Sequence, residues 1–235
     1  MAATRGGGKL YHAAEEADTV HALWGIGDCF LNDKATKNNF IKNCQSNNYS
    51  ILHLAIHGVP ECDNPEKIQL IFAKNSATED NLMHLHEIAG LKMHSDLAVI
   101  SACHSGDGQL ENKEGIISLG RAFTMAGCRS LITSNSYVND YTSPMIFKYF
   151  YNNLKDNDLE KDIALQKAIC SYLDNKGNTM RLPYRWANFH LWGDVDSIKT
   201  SEKESFFSFN WLMTLLGISG IGLFLWFSIY KRMKR

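Results

Sequence analysis

One histidine and one cysteine each follow a short apolar run, and together they have the chemistry of a nucleophile and its base. Cys103 comes directly after residues 97–102, and His57 comes directly after residues 49–56. Neither run contains Asp, Glu, Lys or Arg, which is typical of buried strands in a parallel sheet. Because the carboxyl ends of parallel strands meet at one edge, we expect the two side chains to lie close together there. An imidazole that takes the proton of a thiol produces a thiolate, which attacks carbonyl carbon.

His53 lies on the first of these runs, and an even separation from His57 places both residues on one face of a strand. We interpret His53 as a hydrogen-bonded core residue, because a metal site needs further ligands and the chain has no Cys-x-x-Cys pair. No metal or other cofactor is therefore expected. The Gly25-Ile-Gly27 stretch follows a predicted helix and not a strand, which argues against a dinucleotide-binding loop.

The composition restricts the class of protein. The chain has 235 residues, 45% hydrophobic and 21% charged, with a formal net charge of −1. These values are ordinary for a globular domain, and a charge near zero gives no reason to expect nucleic acid as a partner. The 6 cysteines are scattered and nothing at the N-terminus resembles a signal peptide, so we interpret them as reduced thiols in a cytosolic compartment. Disulfide pairing of all of them is the alternative.

Alternating strand and helix patterns predict an α/β fold in which a mostly parallel sheet is flanked by helices, an α/β/α sandwich. Apolar runs predict strands over residues 49–56, 68–72, 97–102, 129–134 and 186–192. Helical periodicity and capping residues predict helices over residues 15–23, from 33 or 36 to 41, and over 76–88, 116–127, 143–154 and 158–173.

The chain divides into a folded domain and terminal stretches of different composition. Residues 1–9 are small, basic and Gly-rich and predict a flexible leader, residues 10–196 form the domain, and residues 197–204 form a linker. Residues 205–230 contain no charged residue, which predicts a single membrane-spanning helix; a soluble core segment is the alternative. Residues 231–235 form a basic tail.

The basic tail and the chemistry of the domain favour opposite orientations of this span. The positive-inside rule keeps the basic tail in the cytosol and puts the domain outside. The missing export signal and the need of a thiolate for a reducing compartment keep the domain in the cytosol. We give the second argument more weight and expect a single-pass membrane protein with a cytoplasmic domain.

Several stretches resemble the CHAT domain, a caspase-like family of cysteine peptidases often found beside helical repeats. They are residues 49–58, 96–106, 114–128, 137–140 and 184–194, and the likeness runs in order from about residue 10 to residue 194. His57 precedes Cys103 by about 50 residues, as in caspases, although Ser-Ala-Cys-His-Ser-Gly replaces the caspase signature Gln-Ala-Cys-x-Gly. The expected helical repeats are not in the chain, so they were never present, belong to a separate partner, or lie upstream in a longer protein.

The resemblance implies a cysteine endopeptidase that cleaves a protein substrate in a bacterial signalling or defence pathway. It implies a dyad of His57 and Cys103. It also implies an oxyanion site near the dyad, for which Gly58 is the matching position and to which the backbone N–H of Cys103 would contribute.

Residues after the third predicted strand are candidates for substrate binding. They are Asn135, Tyr137 and Asp140, in a stretch where Ser134–Tyr137 departs from the Ser-Leu-Trp pattern usual in the family. Asp140 would pair with a basic P1 side chain, or it is a solvated loop acid. Two other classes of protein stay open: a catalytically silent scaffold of the same fold, and a flavodoxin-like or nucleotide-binding protein, which would lack a phosphate loop.

Overall fold

The computed structural model describes residues 2–3, 12–46, 48–59, 69–101, 113–134, 141–175 and 177–198, all within one folded unit, Met1–Ile198. In chain order the strands are β1 (Ala2–Ala3), β2 (Phe30–Leu31), β3 (Ile51–Ala55), β4 (His57–Val59), β5 (Gln69–Ile71), β6 (Leu82–His84), β7 (Leu97–Ser101), β8 (Ser130–Ser134) and β9 (Phe189–Gly193). The α-helices are α1 (Ala13–Trp24), α2 (Lys37–Ser46), α3 (Leu85–Ala89), α4 (Lys113–Met125), α5 (Ser143–Asn157) and α6 (Lys161–Asp174).

The main sheet has six strands in the order β2-β1-β3-β7-β8-β9 among the described residues. All neighbouring strands run parallel except β9, which is antiparallel to β8. Every residue of β7 and of β8 is buried, because helices cover both faces of the sheet. The prediction of a mostly parallel sheet is therefore confirmed.

Helices form a layer on each face of this sheet. Successive residues of a strand point to opposite faces, so each central strand contributes to two cores. The core on the α2, α3 and α4 side includes Phe40, Leu52, Leu54, Ile88, Ala98, Ile100 and Phe123. The core on the α1, α5 and α6 side includes Val20, Leu97, Val99, Ile132, Phe147, Phe150 and Ala168. Helices on both faces confirm the predicted α/β/α arrangement.

Two residues of the predicted N-terminal leader lie on a strand of the main sheet. The sequence predicts a flexible leader over residues 1–9, but Ala2 and Ala3 form β1 between β2 and β3. Composition alone favours flexibility for such a Gly-rich stretch. It does not reveal that two small residues can pair with a strand on either side.

A second, antiparallel sheet of β4, β5 and β6 lies where the sequence predicts only one strand. The predicted helix over 76–88 is wrong in its first half: Leu82–His84 pair with β5, and a helix covers only Leu85–Ala89. His84 and Glu87 form a capping box that starts this helix, so the start signal lies later than the acidic residues at 79–80 suggest. Leu82 shares the helical spacing of Leu85 and Ile88 but lies on the strand.

The ends of three other predicted elements also shift. Asp158, at φ 51°, ends α5 in the left-handed region, so α6 begins at Lys161 and not at residue 158. The strand predicted over 186–192 begins at Phe189, because a 3-10 turn over Pro183–Arg185 precedes it. The strand predicted over 49–56 ends at Ala55.

Lys37 fixes the small sheet to the rest of the domain. Its ammonium group is buried and lies 2.6 Å from an oxygen of Asp80, 2.7 Å from the carbonyl of Leu82 and 2.7 Å from an oxygen of Glu87. A hydrogen bond from Lys37 lowers the pKa of Asp80. Burial opposes ionisation of Glu87, but hydrogen bonds from Lys37 and from the backbone N–H of His84 outweigh it, and its pKa is also lowered.

Among the described residues, no helix is long and apolar enough to cross a membrane. The span predicted over 205–230 lies outside the described residues.

We predict that Lys37→Met lowers the free energy of unfolding by about 2 kcal/mol at pH 7, because charge-assisted hydrogen bonds to two elements are lost. Asp80 and Glu87 have lower pKa values in the folded protein than in the unfolded chain, so their ionised forms stabilise the fold at neutral pH. This stabilisation is lost as the pH falls through their pKa values in the folded protein. The difference between wild type and variant should therefore narrow below about pH 4. Urea unfolding of both proteins at pH 7 and pH 3 measures this difference in the free energy of unfolding.

Lys42→Met is the matched control, because Lys42 lies on the same helix with its side chain exposed. Its effect should stay within about 0.5 kcal/mol. An equal loss of unfolding free energy in the two variants would show that the hydrogen bonds of Lys37 do not stabilise the fold.

Candidate active site

The register of β3 with β7 sets the geometry of the carboxyl edge of the main sheet. Ala55 of β3 lies opposite Ser101 of β7, and the pairing is unbroken back to Ile51 and Leu97. His57 follows Ala55 by two residues, and Cys103 follows Ser101 by the same number. The structure therefore aligns the two strands that lead to the predicted dyad, although Cys103 itself lies outside the described residues.

His57 lies where the chain passes from the main sheet to the small one. Ile56 is fully buried in the core, and His57 then begins β4, opposite Ile71 of β5. The imidazole is half-buried, and the next residue, Gly58, is buried opposite Leu70. His57 thus starts a new strand and does not end β3, and backbone pairing holds Ala55 before it and Gly58 after it.

The other predicted site residues fall outside the described part of the chain. These are Cys103, which would also supply an oxyanion donor, and the substrate-binding candidates Asn135, Tyr137 and Asp140. The residues that flank this last group are described: Ser134 is fully buried at the end of β8, and Tyr141 is 48% exposed. These positions stay predictions.

Burial makes two of the cysteines chemically inert at neutral pH. Burial raises the pKa of both the Cys44 and the Cys128 thiol to about 12. Burial also raises the pKa of Cys29. A thiol must ionise to act as a nucleophile, so these three side chains are poor candidates for catalysis. Cys170 is the one exposed cysteine among the described residues.

His53 is a core histidine, as the sequence predicts. It is fully buried, and its ring nitrogens lie 2.9 Å from the Tyr151 hydroxyl and 2.8 Å from a Glu16 oxygen. The hydroxyl of Ser143 donates to the other Glu16 oxygen at 2.6 Å. The ring also meets Phe147 edge to face, with centroids 5.2 Å apart. No group of metal-ligating side chains occurs among the described residues.

Hydrogen bonds join the side chains of His53, Tyr151, Glu16 and Ser143 into one buried network. Burial, together with the nearby Glu16 charge, raises the pKa of Tyr151 well above its usual value, so the hydroxyl that is hydrogen-bonded to Nδ1 of His53 stays protonated. The Nε2–H then donates to the Glu16 carboxylate, which also accepts from Ser143. The network ties α1 and the start of α5 to β3, the strand that leads to His57.

We predict that Glu16→Ala lowers the free energy of unfolding by about 3 kcal/mol, because a buried polar network loses its shared acceptor. Glu15→Ala is the control, since the neighbouring Glu15 side chain is 68% exposed, and its cost should stay within about 0.5 kcal/mol. Urea denaturation of both variants measures the difference. Similar losses would mean that the network contributes little to stability.

The segment before β9 also lies at the carboxyl edge, although its sequence predicts no functional residue there. β9 runs antiparallel and its first residue, Phe189, lies opposite Ser134 at the end of β8. The preceding turn, Pro183–Arg185, is therefore at this edge, and the hydroxyl of Thr142 donates to the carbonyl of Arg185 at 2.9 Å. The Tyr-Arg-Trp stretch carries part of the family resemblance, but its sequence gives no signal of a role.

These elements agree with a comparison against known families. A family model described as the CHAT domain matches residues 4–194. The chain belongs to the CHAT domain family. This family is related to caspase-like peptidases, and the match covers the strands before His57 and Cys103 as well as the segment before β9. A search of curated proteins finds no match.

Proposed function

We propose that this CHAT domain is a cysteine endopeptidase that cleaves a protein substrate with a dyad of His57 and Cys103. The observation that carries the proposal is the register of Ala55 opposite Ser101, which brings two neighbouring strands to the same edge. The dyad residues follow these positions at equal distance along the chain. Neighbouring strands are about 4.8 Å apart, which is within reach of a thiol–imidazole hydrogen bond across their ends.

In the proposed mechanism, His57 takes the proton of the Cys103 thiol and the thiolate attacks the peptide carbonyl. The backbone N–H groups of Gly58 and Cys103 stabilise the oxyanion that forms, a contribution of about 3 kcal/mol per donor. His57 then returns the proton to the leaving amine, and water hydrolyses the thioester. The high pKa values of the buried thiols support the choice of nucleophile, because they remove Cys44 and Cys128 from the candidates.

The substrate would lie along the same edge. Asn135, Tyr137 and Asp140 follow β8, the strand next to β7, and we propose them as substrate contacts. In this arrangement Asp140 accepts a hydrogen bond from a basic side chain of the substrate.

Covalent labelling tests the nucleophile. We predict that a peptidyl acyloxymethyl ketone labels the wild-type protein once and that Cys103→Ala abolishes both labelling and peptide cleavage. Cys170→Ala is the matched control, because it removes an exposed thiol from α6 and should leave labelling intact. Intact-protein mass spectrometry gives the number of labels, and circular dichroism checks that each variant is folded.

Two outcomes would contradict the peptidase proposal. Labelling and cleavage that persist in Cys103→Ala would place the nucleophile elsewhere. A folded wild-type protein that is neither labelled nor active on any peptide would favour the alternative of a catalytically silent scaffold.

We also propose that residues 205–230 anchor the domain to a membrane as a single pass, with the domain in the cytosol. The support is the uncharged apolar composition of this stretch, which is long enough to span a bilayer. We predict that, in sealed vesicles with the cytosolic face outward, added protease digests the domain and spares the span. Protection of the domain until detergent is added would reverse the orientation. Recovery of the protein in the carbonate wash would contradict the anchor itself.

A further inference from the structure

Arg185 combines partial burial with an unpaired nitrogen. Its Nε atom is buried and has no hydrogen-bond partner. The guanidinium carbon lies 5.1 Å from the centre of the Tyr184 ring, which is 54% exposed. Leaving a buried N–H group without a partner costs about 1–3 kcal/mol, so such a group in a native protein calls for an explanation, either an ordered water or a bound ligand.

A second arginine of the described region has the carboxylate partners that Arg185 lacks there. Arg129 lies at the opposite, amino edge of the sheet and is within 3.4 Å of Asp96, 2.7 Å of Asp194 and 3.7 Å of Asp196. In the described part of the chain, Arg185 has no carboxylate at such a distance. A guanidinium is always charged at physiological pH and presents a planar fork of donors that matches a carboxylate.

The backbone at Arg185 is held firmly, so its position is defined. Thr142, which is fully buried, donates its hydroxyl to the Arg185 carbonyl at 2.9 Å. The N–H of Arg185 donates to the carbonyl of Leu182, which closes the 3-10 turn. A donor group on a fixed backbone needs little reorganisation to bind a ligand.

The sheet order gives the spacing along the edge between β7, which leads to Cys103, and β9, which follows Arg185 in sequence. β9 is two strands away from β7, which corresponds to about 10 Å along the edge. An extended peptide advances about 3.3 Å per residue, so this distance corresponds to about three substrate residues. The arginine side chain is long and can reach to either side of this point. We therefore consider substrate positions two to four residues from the scissile bond.

We propose that Arg185 is a specificity-determining residue that binds an acidic side chain of the substrate, two to four residues from the scissile bond. This inference rests on the proposed peptidase function and names the class of substrate for that site. The substrate carboxylate supplies the anionic partner that the guanidinium lacks among the described residues. The exposed ring of Tyr184 makes a cation–π contact with the guanidinium.

The test uses paired peptides that differ by one charge. In a positional library, each of the four positions on either side of the scissile bond carries either Asp or Asn. The full-length wild-type protein should cleave the Asp peptide with a kcat/KM about tenfold higher at one of the positions in the proposed range. In Arg185→Gln this ratio should fall to within about twofold, and Arg185→Lys should restore part of it, because the ammonium keeps the charge but loses the planar fork.

Arg181→Gln is the matched control. It removes the same charge four residues earlier, from a side chain that is exposed, and should leave the ratio as in wild type. A wild-type protein without preference for Asp at any position would overturn the proposal. So would the same change of the ratio in both glutamine variants, because that would indicate a general effect of net charge.

A binding measurement separates this proposal from the peptidase proposal. Fluorescence anisotropy with the full-length Cys103→Ala variant gives the dissociation constants of the same Asp and Asn peptides without turnover. If no peptide is cleaved by wild type but the Asp peptide still binds more tightly, and only when Arg185 is present, the peptidase proposal fails and the carboxylate site stands. Equal dissociation constants for the two peptides overturn the carboxylate site.

Discussion

The parallel pairing of β3 with β7 is the constraint on which the rest of the structure depends. Five consecutive residue pairs, from Ile51 opposite Leu97 to Ala55 opposite Ser101, fix the two strands in one register. A slip by one residue would turn each apolar side chain to the other face, so the two cores on either side of the sheet reinforce this register. Whatever follows the two strands in sequence therefore begins at one level of the sheet edge.

Two polar clusters hold the elements beside this apolar centre. The Glu16–His53 pair ties α1 to β3 within the core, and Lys37 ties α2 to the small sheet that begins with His57. Both clusters join residues far apart in the sequence, at separations of 37 and 43 residues. Apolar packing tolerates small shifts, whereas a buried hydrogen bond is lost when its partner moves, so such clusters fix position as well as stability.

The sequence predicts the elements whose signal is local and misses those that depend on distant partners. The strands β3 and β7 are recognisable because burial on both faces leaves a continuous apolar run. The helix start at Ser143-Pro144 is also local, because proline suits the first turn. By contrast, β6 is three residues long and exists through its pairing with β5, which overrides the helical spacing of Leu82 with Leu85. The same limit applies to the sites. Two apolar runs are enough to predict that His57 lies at the carboxyl edge of the sheet. Whether Arg185 has a carboxylate partner depends on residues that only the folded chain brings together.

The two edges of the main sheet differ in the ion pairs that their charged side chains form. At the amino edge, Asp194 forms ion pairs with Arg129 and with the buried Lys161. A backbone hydrogen bond from Asp196, opposed by desolvation and aided by these two cations, lowers the pKa of Asp194. At the carboxyl edge, Arg185 keeps a buried donor without a partner in the described structure. An unpaired buried charge costs stability. Arg185 lies on the same edge as His57, where open parallel sheets bind their ligands.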